Sequence, residues 1–281
     1  MERCYSFGGI PVFLSAPAAL PERAELTEFA HPIQKNGIQI YCAASAEFTI
    51  PGDMPLRKGD YDTLWRQTRE TETGLNCYQR NSGEAWPYCL WTRQGNKVSV
   101  LWKPEVETQL SVWKILDDIE LFHLLLTRGA AVLHGSYIVY KGQGIVFSAP
   151  SGTGKSTQAA LWEQFRGAEV VNGDRCLLRA ASSGLFVHGI CYSGTSGICK
   201  NISAPLKALV LLEQAPENKI RQVKGLEAFR FLMPQCAYRT WDKWDVADIT
   251  EVLVHILSAV PVFRLQCRPD ENAVETLEKV L

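Results

Sequence analysis

The chain has no long apolar run. Nowhere in its 281 residues does a stretch approach the ~20 apolar residues that a bilayer-crossing helix needs, which excludes a membrane-spanning helix. It has no surplus of charge of either sign. Its 29 Lys and Arg against 30 Asp and Glu leave a net charge of −1, so nothing marks it as a binder of nucleic acid or anionic lipid. It has no repeat and no low-complexity tract, which excludes solenoids and linker-like arrays. Its nine cysteines (Cys4, Cys42, Cys77, Cys89, Cys176, Cys191, Cys199, Cys236, Cys267) lack order. They form no CxxC pair and no Cys/His cluster with zinc spacing. An odd count without a framework predicts free thiols in a reducing, cytoplasmic setting, most of them small core residues. The apolar stretch from Tyr5 to Leu20, with Ala16-Pro17-Ala18, imitates a cleavable leader. Gly8, Gly9 and Pro11 interrupt it, and its start carries only Glu2 and Arg3, so it reads as a first strand and loop.

What is present is enough apolar material for a real core: the chain is 46% hydrophobic and 21% charged, in the range of soluble globular proteins. Its length suits one large domain or two ordinary ones. Residues 1–108 read as strands and loops. Gly9–Leu14, Ile38–Ala43, Trp86–Thr92 and Lys97–Lys103 are short β-prone runs, and the polar stretch Ile50–Thr73 reads as loop or short helix. Ser111–Arg128 is a predicted helix: Val112, Ile115, Leu116, Ile119, Phe122 and Leu126 recur at helical spacing and Gly129 stops it. From there to Leu281 strands and helices are mixed, which makes residues 109–281 an α/β domain. With the β-rich region before it, the whole chain is α+β.

The sharpest feature is Ala149-Pro150-Ser151-Gly152-Thr153-Gly154-Lys155-Ser156-Thr157. It follows the apolar strand Ile145-Val146-Phe147 and opens a helix, the setting of a Walker A loop for ATP or GTP phosphates. Gly152 and Gly154 let successive backbone N–H groups point inward as an anion nest. The helix beginning near Lys155 adds its positive end. Lys155 reaches the β- and γ-phosphates and the Ser156 hydroxyl binds Mg²⁺. Ala149 stands where the first glycine of the pattern is usual, which the loop tolerates if that position keeps an ordinary φ.

Three further signals belong with this loop. Val170-Val171-Asn172-Gly173-Asp174-Arg175 ends an apolar strand with an Asp just beyond it, where a second metal-binding carboxylate is expected; Asn-Gly-Asp is equally good turn chemistry. His134, in Leu133-His134-Gly135, lies on the strand before the loop, where adjacent strands can bring it to the phosphates, although a strand histidine is more often structural. Phosphoryl transfer also calls for a cation beyond Lys155, with Arg175, Lys200 and Arg239 as candidates. Trp241 and Trp244 suit either a ligand pocket or core packing. No Asn-Lys-x-Asp guanine signature is present.

His134-Gly135, a hairpin of Ala131–Tyr140 and Ile145–Ser148 turning at Lys141-Gly142-Gln143-Gly144, then Ser151-Gly152-Thr153-Gly154-Lys155-Ser156 and Asp174-Arg175, in this order and spacing, resemble the catalytic domain of HPr kinase/phosphorylase. The loop is also similar to that of phosphoenolpyruvate carboxykinases, which share the nucleotide-binding fold. The resemblance covers about residues 120–215. It is nearest to divergent HPr kinase-like proteins found near bacterial peptide-modification genes, in which a Trp follows the loop helix start (here Leu161-Trp162). It implies a phosphoenolpyruvate carboxykinase-like mixed sheet. It further implies ATP- and Mg²⁺-dependent phosphorylation of a serine or threonine on a peptide or protein, and admits a homo-oligomer. A small-molecule alcohol as acceptor, or a nucleotide-binding regulator without transfer, stays open. Lys155 and Ser156 carry over as phosphate and magnesium residues, Asp174 as the metal-site Asp and His134 as a neighbour of the transferred phosphate. One departure stands out: HPr kinases have two adjacent Asp residues here, and Gly173 occupies the place of the other. A glycine accepts no proton, so Asp174 serves both roles, another residue is the base, or transfer is absent.

Overall fold

Gly8 and Gly9 both adopt positive φ, 57° and 76°, as a two-residue turn between twisted antiparallel strands requires. They join β1 (Glu2–Phe7) to β2 (Ile10–Ser15), so the apolar start of the chain is a hairpin. The computed structural model that shows this describes residues 1–59, 62–66, 68–79 and 84–281. It divides into two units, Met1–Leu124 and Leu125–Leu281, each built on a mixed sheet.

In the first unit, β2 continues through the short helix α1 (Ala24–Thr27) to β3 (Ile38–Ala44), which runs parallel to it. Four further strands, β4 (Arg57–Lys58), β5 (Asp62–Arg66), β6 (Thr71–Gln79) and β7 (Ala85–Gln94), precede β8 (Lys97–Trp102). The sheet order is β1-β2-β3-β8-β7-β6-β5-β4. Within Ile50–Thr73, residues 60, 61 and 67 lie outside the described residues; the remainder holds short strands and no helix. Ser111–Arg128 is two helices, α2 (Val112–Asp118) and α3 (Leu121–Leu126), because Glu120 takes φ 53° between them. The apolar spacing runs across that break, so the pattern alone reads as one helix.

The second unit is organised by two long strands that change partners. The first half of β9 (Ala130–Tyr140) pairs with β12 (Arg175–Ala181), ending at His134 opposite Arg175. From Gly135 onward it pairs with β10 (Gln143–Ser148) and, on its other side, with β11 (Glu169–Asn172). β14 (Ser203–Gln214) starts beside β13 (Gly184–His188), then runs parallel to β10 and to β16 (Val262–Cys267). The path β10-β9-β12-β13-β14 therefore closes on itself through the β10–β14 pairing, and β15 (Lys219–Val223) edges β16.

Successive residues of β14 bury opposite faces, as a strand covered on both sides must. Ala208, Val210 and Leu212 pack with Ala159 and Trp162 of α4 (Lys155–Arg166) and with Val274 and Leu277 of α7 (Glu271–Glu278). Leu209 and Leu211 pack with Leu232 of α5 (Gly225–Leu232) and with Ile249 and Leu253 of α6 (Lys243–Ala259). Among the described residues no helix is long and apolar enough to cross a membrane. All nine cysteines are free, and burial pushes several thiols upward, Cys236 to about 12, which leaves them poor nucleophiles.

Candidate functional site

The partner change in β9 sets the site. At the junction, Gly135 N–H donates to the Asp174 carbonyl at 2.9 Å and the Ser148 hydroxyl donates to the His134 carbonyl at 2.9 Å. The middle of β9, the end of β10 and the turn between β11 and β12 are thereby pinned together, and the turn from β10 into α4 opens at the same place. Gly152 has φ 78° and Gly154, which precedes α4, φ 110°. A Cβ at either would meet nothing, so the need for glycine is conformational and not steric. Ala149 is fully buried and keeps an ordinary φ: among the described residues only Glu120 and Lys141 are positive-φ non-glycines. The Thr153 hydroxyl donates to the Pro150 carbonyl at 2.9 Å and tightens the loop.

Lys155 is buried, and its Nζ donates to the carbonyls of Ala149 at 3.0 Å and Pro150 at 3.2 Å. Burial lowers its pKa from the usual lysine value, and Asp174 partly restores it. Ser156 and Ser136 both donate to the carbonyl of Gly173, at 3.1 Å and 2.8 Å. Asn172 builds the next turn: its Oδ1 accepts from the N–H groups of Asp174 and Arg175, both at 3.0 Å. Asp174 lies between two basic side chains, its Oδ1 3.6 Å from His134 Nε2 and its Oδ2 3.4 Å from Arg175 Nε. The first distance is electrostatic contact and not a hydrogen bond. Burial, then Lys155, lowers the His134 pKa below 6.5, while Asp174 and a hydrogen bond with Gln235 oppose the shift.

These groups share one cavity of about 270 Å³, walled by His134, Lys155, Ser156, Asp174 and two residues of the glycine-flanked loop before Lys200, Thr195 and Ser196. Ser151, Gly152, Gly154 and Thr157 line the same space. A second cavity of about 420 Å³ opens on the loop's other flank beside Thr153, Gln158, Gln214, Cys267 and Arg268. Local sequence marks the loop itself but not Gln214, Cys267 and Arg268 as its neighbours, because they come from the ends of separate strands. Lys200 is elsewhere, paired with Glu169 at 2.9 Å on the surface. Arg239 is buried beside Asp242 and over the Trp241 ring. Neither Trp241 nor Trp244 lines the cavities at the loop, and Trp162 packs in the core against Tyr140.

Among the described residues no three His, Cys, Asp or Glu side chains gather as a metal cage. Magnesium does not need one, since it commonly takes one or two protein oxygens and completes its shell with phosphate oxygens and water. The Ser156 hydroxyl and Asp174 carboxylate on one cavity wall are a donor set that fits.

The second unit is thus a mixed α/β structure with a strand–loop–helix turn opening on a polar cavity. Residues 102–281 match the family described as the SynChlorMet cassette protein ScmC, and the chain belongs to that family. Among solved structures, the HPr(Ser) kinase/phosphatase from Coxiella burnetii is similar over 53% of this chain and 91% of its own, at 12% identity and a TM-score of 0.31. No curated protein matches the chain.

Proposed function

We propose that the chain is an ATP- and Mg²⁺-dependent kinase that moves the γ-phosphoryl group to a serine or threonine hydroxyl of a peptide or protein. The reading rests on the convergence of Lys155, Ser156, Asp174 and His134 on one cavity at a turn with two left-handed glycines. In it, residues 109–281 are the kinase domain and residues 1–108 present the acceptor. The backbone from Ser151 to Thr157 cradles the phosphates, and Lys155 neutralises the β- and γ-oxygens. The base and ribose are assigned to the cavity beside Gln214 and Arg268. Ser156 and Asp174 would hold Mg²⁺, which would neutralise negative charge on the phosphate oxygens. Arg175 opposes charge that develops in transfer. His134, on the same cavity wall, takes the proton of the acceptor hydroxyl.

The family's description as a cassette protein directs the acceptor search to peptides encoded beside the gene. The test is mass spectrometry of those peptides after incubation with the protein, ATP and Mg²⁺. A phosphorylated peptide, absent with Lys155→Ala, establishes the kinase. Normal turnover by a folded Lys155→Ala variant removes the loop from the mechanism. A small-molecule alcohol as acceptor would leave the peptides bare while ATP is consumed. A second reading, a nucleotide-binding regulator without transfer, draws support from Gly173, where no second carboxylate is present. Its signature is ATP binding without turnover.

A further inference from the structure

The segment Gly194–Ser196 is a single 3₁₀ turn that opens on one left-handed glycine, Gly194 with φ 57°, and is followed by another, Gly197 with φ 66°. It lies against the site with no room for added atoms. A Cβ on Gly194 would stand 2.6 Å from both Cβ and Cγ of Asp174, and a Cβ on Gly173 would stand 2.3 Å from Ser196 Oγ. Real Cβ atoms do not approach that closely, so glycine at both positions lets the turn close over the Asp174 side of the cavity.

The turn carries two hydroxyls with different surroundings. Ser196 Oγ donates to the Ser193 carbonyl at 2.7 Å and accepts from the Ile198 N–H at 3.2 Å. Both bonds hold the turn together. Thr195 is exposed and lines the cavity with Lys155, Ser156 and Asp174. No hydrogen bond engages its hydroxyl among the described residues. It is therefore a hydroxyl of the chain itself, free to react, on the wall of the space assigned to the phosphates.

We propose that Thr195 is a self-modification site, phosphorylated in cis from ATP bound at the loop. This rests on the kinase reading above. Thr195 Oγ attacks the γ-phosphorus and forms an O–P bond as the bond to the β–γ bridging oxygen breaks. ADP leaves with that electron pair, and the hydroxyl proton passes to His134. The product carries about −1.5 to −2 charge beside Lys155 and Asp174, in the space a second nucleotide's phosphates need. Modification then lowers ATP affinity and limits the enzyme's own activity.

The experiment incubates the full chain with Mg²⁺ and ATP alone. It follows intact mass and localises any phosphate by fragmentation, with ATP binding measured by calorimetry on the same preparations. One phosphoryl group on Thr195, absent in Thr195→Val and in Lys155→Ala, acquired at a rate independent of protein concentration and accompanied by weaker ATP binding, is the expected result. An unmodified chain that binds ATP overturns the inference and leaves the kinase reading standing. So does phosphate on Ser196 or elsewhere, or a rate that rises with protein concentration. Failure to bind ATP at all sinks the kinase reading and the inference with it.

Discussion

Replacing Gly173 by alanine puts a methyl group into space that the Gly194–Ser196 turn already fills. The new Cβ would lie 2.3 Å from Ser196 Oγ and 2.7 Å from Ser196 Cβ, where carbon atoms in good contact are about 3.5–4.0 Å apart. Oγ can rotate away, but only by giving up its bonds to Ser193 and Ile198. Cβ moves only with its backbone, and that backbone is tied down close by: Gly173 N–H reaches the Ile198 carbonyl at 3.4 Å and Lys200 N–H the Val171 carbonyl at 2.9 Å. Forced overpacking of this kind costs about 1–3 kcal/mol. Removing the obstacle isolates the cause. In urea unfolding of the parent, Gly173→Ala, Ser196→Gly and the double variant, the double variant is expected to be more stable than the two single losses sum to. The coupling should be about 0.5–3 kcal/mol, as for residues in direct contact. A Gly173→Ala chain as stable as the parent, or strict additivity, would refute the packing argument. The same geometry bears on the residue type. An aspartate at position 173 fits only if Ser196 gives way, so Gly173→Asp alone is expected to displace the turn without supplying a working second carboxylate.

Three other outcomes follow from named contacts. Asp174→Asn removes the one carboxylate set between His134 and Arg175. It should abolish the Mg²⁺ dependence of nucleotide binding in a magnesium titration, and an unchanged response would reassign the metal ligand. Glu72→Ala leaves two arginines and His123 around a buried vacancy, since Arg66, Arg93 and His123 all reach the Glu72 carboxylate from side chains 4% exposed or less. Breaking such a buried pair costs about 3–5 kcal/mol, and thermal unfolding that shows no clear destabilisation would contradict it. Burial, then Arg179, lowers the His188 pKa from 6.5 to about 4. The unfolded chain then binds more protons between those values, so the stability involved is complete above about pH 6.5 and is lost as pH falls toward about 4. His188→Gln should flatten the acid limb of a stability–pH curve, and an unchanged limb would assign it to other groups.

Where structure follows from local pattern, the chain was readable. The hairpin before the loop, the strand that feeds it and the helices flanking β16 all coincide with apolar periodicity and end at glycine, proline or a capping side chain. Ser111 accepts from Lys114 N–H as the cap of α2, and Asp270 caps α7 in the same way. What failed locally failed for tertiary reasons. Gly74 and Asn76 make Thr71–Gln79 look like a poor strand, yet the Trp91 indole lies 2.2 Å from where a Cβ on Gly74 would be. The glycine is there to admit a cross-strand ring. Glu120 is the converse case, a residue with no helix-breaking signature that nevertheless takes φ 53°.

The candidate site divides along the same line. The loop from Ser151 to Thr157 is legible because its parts are contiguous and each glycine has a conformational job. The link from His134 to Asp174 is non-local. It exists because β9 leaves β12 opposite Arg175 and takes up β10 one residue later, and no spacing rule encodes a change of strand partner. Thr195 and Ser196 are further removed, since they reach the cavity only because Gly173 and Gly194 lack side chains. In the sequence, Gly173 reads as a carboxylate that is missing. In the fold, the absence of a side chain there admits a hydroxyl-bearing turn to the place beside Asp174. A rule that scores position 173 by what an aspartate would have done therefore misses what the glycine lets in. What borders Asp174 on that side is the turn that fills the gap, with Thr195 and Ser196 on the cavity wall.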